Sequence, residues 1–412
     1  MTEFRFRRWL AAIAGFGAAW RLVYLFAVKI DDPLRLNDSF YYSIQAGRNS
    51  EGDWFRENLG VGAGAEHGPL TSLYLTPWSI GDWGVAQQRF AITLLGIAAV
   101  PLVGLLGRRL AGPIVGLVAA AIAAVYPNLW VNDSVVMSES LAVFLVTAAL
   151  LVAVALEGRA TAGRSAVLGG LIGLAALTRS ELALLAPMFA ALVWWRGGTA
   201  RRGRALAAGA LLAASLATVA PWMIYNLARF ERPVLMSTND GTTLLGANCD
   251  QTYYVDIGGW DLRCLDPVPL REGVDASIRA EQRRDIAVDY VRDHLGRVPL
   301  VVLARLGRSV DLYGLASLVD LDVGEEKAEW AVWIGIVMFW LLAVAAWFGW
   351  RRLAADGGGQ RWWLVPLPLT VLITTALFYG AHRIRAPAEP VLVVLAAVGV
   401  VAVAGRLRDS RP

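Results

Sequence analysis

The sequence predicts an all-α polytopic membrane protein. Of its 412 residues, 57% are hydrophobic and only 17% are charged, whereas about 25% of the residues in a typical soluble domain are charged. The mean hydropathy is +0.51, and apolar segments suited to crossing a bilayer recur along the whole chain. Helices are the expected form of these segments, because a helix satisfies its own backbone hydrogen bonds in the absence of water.

Ten apolar segments are predicted to span the membrane. They cover about residues 9–28, 87–106, 113–126, 136–156, 165–178, 182–195, 205–222, 330–350, 361–379 and 387–405. No small-residue cleavage site follows the first segment, so we interpret it as a retained span and not as a signal peptide. Arg5, Arg7 and Arg8 precede it, which places the N-terminus in the cytoplasm by the positive-inside rule, and ten spans return the C-terminus there.

The spans divide the chain into three predicted regions. Residues 1–226 form a transmembrane module with a first extracytoplasmic loop at 30–85, residues 227–328 form a large extracytoplasmic loop, and residues 329–412 form the C-terminal transmembrane helices. Interfacial amphipathic helices are expected at about 39–49, 69–78 and 297–313. The last of these is not assigned as a span, because that would put Arg351 and Arg352 outside, against the charge rule.

Both cysteines fall in the large loop, on the oxidising side of the membrane. A disulfide between Cys249 and Cys264 is therefore predicted. The alternative is two unpaired thiols, because closeness in sequence does not fix the geometry that a disulfide needs.

Two carboxylates near the outer ends of the spans are the first candidates for chemistry, since a charge at membrane depth costs roughly 2.5–3.5 kcal/mol. Asp38 follows the first span, and we expect it to be the centre of the site. It could also be the N-cap of a short helix beginning at Ser39, and the two roles are compatible. Glu139 opens the fourth apolar segment, where the alternative is a structural pair with a nearby arginine.

Two cations accompany these carboxylates. His67 is a candidate donor to an anionic phosphate, and its alternative role is to cap the helix that Pro69 begins. Arg179 lies between two short apolar segments, where it could neutralise a phosphate or anchor the chain to lipid headgroups.

A third basic group lies before the last predicted span. His382, Arg383 and Arg385 occupy a short outer loop against the positive-inside bias, which favours a lipid phosphate as their partner. The alternative is a salt bridge from Glu389 to one of the two arginines.

Carboxylates, cations and apolar walls together fit one chemistry. A carboxylate can accept the proton of an attacking hydroxyl as a general base, and cations can stabilise the charge on a departing phosphate. The sequence contains neither a phosphate-binding P-loop nor a dinucleotide fingerprint, as expected where no nucleotide is present. Sugar transfer from a polyprenyl-phosphate donor is the predicted reaction.

Short motifs along the chain also resemble a known family in their order. They are Asp38-Ser39-Phe40-Tyr41-Tyr42, His67-Gly68-Pro69-Leu70, Arg89, Ser138-Glu139-Ser140-Leu141, Leu177-Thr178-Arg179, Pro221-Trp222-Met223-Ile224-Tyr225-Asn226 and Ser237-Thr238-Asn239-Asp240-Gly241. The chain resembles the GT-C superfamily of membrane glycosyltransferases, specifically the family 39 group of protein O-mannosyltransferases and lipid A aminoarabinose transferases. The resemblance implies a GT-C-like helix bundle.

The resemblance also implies roles for individual residues. Asp38 would be the base or the carboxylate that positions the acceptor, with Glu139 as the second acid. The substrate-binding residues would include Tyr41, Tyr42 and Arg89, as well as the phosphate contact at His67. Two departures stand out: the family's acidic pair is the single Asp38 here, and a lysine of the family is replaced by His67, which is only partly charged near neutral pH.

The predicted function is therefore that of an inverting glycosyltransferase of the cell membrane, with its site on the extracytoplasmic face and a bacterial source. A transporter or flippase of a lipid-linked sugar and an inactive scaffold are the alternatives. The expected partners are the lipid-linked sugar, membrane lipids and a glycan, lipid or protein acceptor, and nucleic acid is not expected. No cofactor is expected, and a divalent metal shared by Asp38 and Glu139 is an unsupported alternative, because further oxygen ligands are missing.

Overall fold

The computed structural model describes residues 1–35, 37–58, 62–81, 84–198, 200–269 and 273–409. The chain is 77% helical, and within these residues the only β pairing is an isolated bridge between Arg56 and Ala63. The α-helices are α1 Glu3–Tyr24, α2 Asp38–Ser50, α3 Leu70–Leu75, α4 Gly84–Ala111, α5 Pro113–Val125, α6 Pro127–Trp130, α7 Glu139–Val154, α8 Ala162–Thr178, α9 Leu185–Arg196, α10 Arg201–Leu227, α11 Asn239–Gly246, α12 Ala276–Asp293, α13 Val298–Ser309, α14 Leu315–Gly324, α15 Glu329–Ala355, α16 Pro366–Leu377, α17 His382–Arg385 and α18 Glu389–Asp409. Turns of 3₁₀ or π helix cover Leu25–Lys29, Thr76–Trp78, Val131–Ser134, Ser180–Leu184, Gln251–Val255, Leu262–Leu265, Gly359–Leu364 and Ala386–Ala388. The predicted all-α class is confirmed.

Several helices meet the requirements for crossing a membrane. Within the described residues, five are long and apolar enough: Glu3–Lys29, Gly84–Ala111, Arg201–Leu227, Glu329–Ala355 and His382–Arg406. A sixth arises if Pro113–Val125 and Pro127–Ser134, which meet at a bend of 62°, count as one span. The remaining predicted segments are also helical, as the shorter α7, α8, α9 and α16. The number of ten spans therefore stays a prediction.

Close helix packing holds the C-terminal part of the bundle together. A Cβ atom added to Gly349 in α15 would lie 1.9 Å from the carbonyl oxygen of Leu395 in α18, and one added to Gly399 would lie 1.9 Å from the carbonyl oxygen of Ala345. Only glycine allows the two backbones to touch at both points. Such contacts replace the hydrophobic driving force that is missing between helices in lipid.

The helix α13 has the character of an interfacial helix. It contains 12 residues, so its length of about 18 Å is too short for a bilayer core of about 30 Å. Leu300 and Leu303 are exposed, whereas Arg305 and Arg308 are buried against the rest of the protein. Leu300 and Leu303 therefore point away from the rest of the protein, and the interfacial position of α13 stays a prediction.

The short helices α2, α3, α14 and α17 gather at one end of the bundle. The helix α7 runs from Glu139 at this end to Val154 at the other, and α8 returns to Thr178, directly before Arg179. Ion pairs such as Arg196–Glu157 mark the opposite end. The candidate site therefore lies where long helices end and short ones fill the space between them.

Candidate active site

Asp38 is the first residue of α2, and its side chain does not cap that helix. The N-cap is Asn37, whose side-chain oxygen accepts a hydrogen bond of 2.8 Å from the backbone N–H of Ser39. The predicted capping role for Asp38 is therefore wrong. Because Asn37 satisfies the helix terminus, the carboxylate of Asp38 is free to interact with other elements, and its side chain is 26% exposed.

Two basic side chains hold the carboxylate of Asp38. Arg383 Nη2 lies 2.5 Å from Oδ2, and His67 Nε2 lies 3.3 Å from Oδ1. Burial alone raises the pKa of the Asp38 carboxyl, but the attraction of Arg383 and then of His67 outweighs it and holds the pKa well below its usual range. Asp38 is therefore ionised in the resting site.

Aromatic rings position His67. The centres of the Tyr41 and Tyr42 rings lie 4.9 and 5.1 Å from the centre of the imidazole. The helix α3 begins beyond Pro69 without a side-chain cap, so the predicted capping role for His67 is wrong. Gly68 lets this loop approach α8, because a Cβ atom there would lie 2.3 Å from the carbonyl oxygen of Leu177.

Arg383 is the centre of the cluster. Its guanidinium contacts three carboxylates from three different elements: Asp38 at 2.5 Å, Glu139 at 3.2 Å and Glu325 at 3.0 Å. The carboxylate side chains of Glu139 and Glu325 are 1% and 7% exposed. A single guanidinium therefore neutralises charge from α2, α7 and the end of α14.

Glu139 receives a second arginine. Its Oε1 atom accepts from Arg179 Nη1 at 2.8 Å as well as from Arg383. Arg179 also binds Glu181 at 2.7 Å, and its side chain is 9% exposed, so it is paired within the protein. In the part of the chain that the structure describes, the other oxygen of Glu139, Oε2, is buried and accepts no hydrogen bond. That oxygen therefore has unused capacity to accept a hydrogen bond.

The turn between α14 and α15 supplies three residues of the candidate site that the sequence analysis missed. Besides Glu325, the turn contains Lys327, which binds Glu325 at 3.1 Å, and Glu326, which accepts from Ser39 Oγ at 2.5 Å. Glu326 has φ = +67°, a conformation that is uncommon without glycine and that costs about 1–3 kcal/mol. A run of three charged residues directly before an apolar span was the signal that could have revealed this turn.

Arg89, a predicted substrate-binding residue, lies behind this turn. Its side chain is fully buried and pairs with Glu326 at 2.7 Å. It also donates to the backbone oxygen of Asp32 at 2.7 Å. The structure therefore connects Arg89 to the Asp38 helix through Glu326 and Ser39, and places no contact between Arg89 and Asp38 themselves.

His382 and Arg385, also predicted to bind substrate, form a second layer behind Arg383. The imidazole of His382 bridges Asp311 at 2.5 Å and Asp322 at 2.6 Å. Arg385 binds Asp311 at 2.9 Å and Glu389 at 2.7 Å. The alternative of a salt bridge from Glu389 to an arginine thus holds for Arg385. These contacts fix the backbone on both sides of Arg383, which turns the other way, towards Asp38.

The predicted disulfide is present in the structure. Cys249 and Cys264 are joined in a disulfide, with their Cα atoms 5.7 Å apart. No group of three or more His, Cys, Asp or Glu side chains in the described ranges is arranged to hold a metal ion.

Solved structures identify the fold. Archaeal oligosaccharyltransferase AglB from Archaeoglobus fulgidus, in complex with an inhibitory peptide and a dolichol-phosphate, aligns with 98% of this chain and 51% of its own, at a TM-score of 0.64 and 15% identity. The apo form of the Archaeoglobus fulgidus oligosaccharyltransferase aligns with 98% of this chain and 51% of its own, at a TM-score of 0.63 and 15% identity. ArnT from Cupriavidus metallidurans, bound to undecaprenyl phosphate, covers 98% of this chain and 78% of its own, at a TM-score of 0.43 and 14% identity.

The chain has the fold of the GT-C membrane glycosyltransferases. This conclusion depends on the oligosaccharyltransferase, of which the chain spans about half the length. No protein-family model and no curated protein sequence matches the chain. The GT-C resemblance predicted from short motifs is confirmed for the fold, and the narrower likeness to family 39 stays a prediction.

Proposed function

We propose that this protein is an integral membrane glycosyltransferase that moves a sugar from a polyprenyl-phosphate donor to an acceptor hydroxyl. The observation that carries the proposal is the environment of Asp38, a partly exposed carboxylate held by Arg383 and His67 at one end of a GT-C bundle. This arrangement supports a role for Asp38 as a proton acceptor beside two groups that can bind a phosphate.

The proposed reaction is a single displacement with inversion. The acceptor oxygen attacks the anomeric carbon of the sugar, and the bond from that carbon to the phosphate oxygen breaks. The hydroxyl proton passes to Asp38 as general base. The electron pair of the broken bond leaves with the polyprenyl phosphate, whose growing negative charge is stabilised by Arg383 and His67.

Donor binding would also activate the base. In the resting site, Arg383 and His67 hold the pKa of Asp38 well below its usual range, which makes the carboxylate a weak proton acceptor. A donor phosphate competes for the same two basic side chains and so weakens their contacts with Asp38. The pKa of Asp38 then rises, and the carboxylate becomes an effective base only when the donor is present.

Glu139 and Arg179 have supporting roles in this proposal. Glu139 binds Arg383 and Arg179 through one oxygen, which keeps both guanidinium groups near the donor phosphate. Its second oxygen, Oε2, is buried and could accept a hydrogen bond from a sugar hydroxyl. Such a bond would orient the donor relative to Asp38.

We also propose where the reaction takes place and which molecules take part in it. The AglB structure contains a dolichol-phosphate, which supports a lipid-phosphate carrier for the donor. Arginine clusters at the end of the bundle opposite Asp38 favour an extracytoplasmic site, and we propose the bacterial cell membrane as its location. The acceptor is a glycan, lipid or protein hydroxyl, and no cofactor is proposed.

Transfer from a panel of radiolabelled polyprenyl-phosphate sugars in nanodiscs tests the proposal. Wild type is compared with Asp38→Asn and with Asp31→Asn, which makes the same change at an exposed residue shortly before the site. We expect sugar release or transfer by wild type and Asp31→Asn, and none by a folded Asp38→Asn. Equal turnover by all three proteins would refute the mechanism. A donor that binds wild type and is never turned over would instead indicate a carrier.

A further inference from the structure

The end of the bundle opposite Asp38 carries an arginine and tryptophan surface that the proposed reaction does not use. We call it the distal patch and define it by Trp194, Trp195, Trp362, Arg201, Arg204 and Arg361. The helix α9 separates this patch from the active site, because α9 starts near Arg179 and ends, 12 residues later, beside the patch. At 1.5 Å per residue, this is about 18 Å along the helix axis.

Aromatic rings hold the guanidinium groups of the distal patch in place. The Cζ atoms of Arg201 and Arg204 lie 5.9 and 5.6 Å from the ring centre of Trp194. On the other side, Arg361 lies 5.4 Å from the ring centre of Trp362. The rings of Trp195 and Trp362 are 5.7 Å apart and join the two sides into one surface.

The charges of the distal patch are not neutralised. Across the described ranges, none of Arg201, Arg204 and Arg361 forms a salt bridge with a carboxylate. The neighbouring Arg196 differs, because it pairs with Glu157. The contrast matters because a cation held beside an apolar surface without a counter-charge favours binding of an anion.

Two arginines of the distal patch also have a hydrogen-bond donor without an acceptor. In the part of the chain that the structure covers, the Nε atoms of Arg204 and Arg361 are shielded from solvent and have no acceptor. Their other recorded bonds are to backbone oxygens, of Trp194 at 3.2 Å and of Leu353 at 3.3 Å. Buried donors normally find a partner, so both guanidinium groups have unused hydrogen-bond capacity.

We propose that the distal patch binds the phosphate of an anionic phospholipid. Exposed indole rings support a lipid over a soluble anion, because Trp194 and Trp195 are 41% and 58% exposed and tryptophan is favoured at the level of lipid headgroups. The guanidinium groups bind the phosphate oxygens, and the exposed rings contact the first carbons of the acyl chains. The site is separate from the glycosyltransferase site and does not depend on its activity.

Lipid binding to the purified full chain, measured by native mass spectrometry, tests this proposal. The probes are dioleoylphosphatidylglycerol, dioleoylphosphatidylcholine and inorganic phosphate. The test variant is Arg204→Gln with Arg361→Gln, and the matched control is Arg5→Gln with Arg8→Gln, which removes two exposed charges at the start of α1. Both variants are first required to unfold at the wild-type temperature in phosphatidylcholine nanodiscs. If the test pair does not, Arg204→Gln alone replaces it and is expected to weaken the binding of phosphatidylglycerol about fivefold.

A basic residue near an anionic membrane raises the affinity for that membrane roughly fivefold. Removing two arginines should therefore lower the affinity for phosphatidylglycerol by a factor on the order of thirty. Wild type and the control variant should bind phosphatidylglycerol alike and more tightly than phosphatidylcholine, and the test variant should lose this preference. Equal binding of the two lipids by wild type, or full binding by the test variant, would overturn the proposal. So would inorganic phosphate that displaces phosphatidylglycerol from wild type.

Discussion

Replacing Arg383 with glutamine tests the central interaction of the candidate site. The change removes the guanidinium that contacts Asp38, Glu139 and Glu325. Removing one partner of a buried ion pair costs about 3–5 kcal/mol. The total loss of unfolding free energy should stay near this value, although three carboxylates lose a contact, because another basic side chain remains beside each of them.

Those remaining basic side chains are specific. Glu139 keeps Arg179 at 2.8 Å, Glu325 keeps Lys327 at 3.1 Å, and Asp38 keeps only the weaker contact with His67 at 3.3 Å. Most of the cost therefore arises at Asp38. We expect Arg383→Gln to lower the free energy of unfolding by about 3–5 kcal/mol at neutral pH.

The effect should depend on pH with a defined sign. In wild type, the lowered pKa of Asp38 contributes stability above the unfolded pKa, and this contribution is lost as the pH falls through the folded pKa. Without Arg383, burial raises the pKa of Asp38, and the neutral form becomes the stable one as the pH falls. The difference in stability between wild type and variant should therefore narrow from about pH 7.5 to about pH 5.

The assay is unfolding of the purified protein by a denaturing detergent at several pH values. Arg232→Gln is the control, because Arg232 pairs with Glu281 at 3.0 Å on the surface, where such a pair contributes about 0–1 kcal/mol. Equal unfolding free energies of the two variants at neutral pH would contradict this prediction. So would a difference in unfolding free energy between Arg383→Gln and wild type that grows as the pH falls.

Three further predictions concern stability. Glu326→Gln leaves the buried Arg89 of α4 without its carboxylate partner and should lower the free energy of unfolding by about 3–5 kcal/mol. A loss below about 1 kcal/mol, measured by unfolding in the same denaturing detergent, would contradict this prediction. Gly349→Ala should lower the unfolding temperature, because the new Cβ would lie 1.9 Å from a carbonyl oxygen of α18, whereas Gly15→Ala, with nothing within 4 Å, should not. Replacing Cys249 and Cys264 by serine should cost about 3 kcal/mol, as expected for a loop of this length, and wild type treated with reductant should match the double variant.

The amino-acid sequence by itself determined the class of the fold. Apolar runs separated by charged turns are a local property, and each of the ten predicted segments is helical. The short helices α2 and α3 were also predictable, because they follow short amphipathic patterns, and their position at the membrane surface stays a prediction. Asp38 and Arg383 could be selected one at a time, since each places a charge next to a long apolar run.

Only the tertiary structure decided which charges meet. Asp38 and Arg383 are 345 positions apart, and Ser39 and Glu326 are 287 apart, so no local pattern records either contact. Hydropathy fixes where helices start and end, but it carries no information about which helix ends face each other. Helix packing decides this, and it brings Glu325 together with Asp38 and Glu139 around the guanidinium of Arg383.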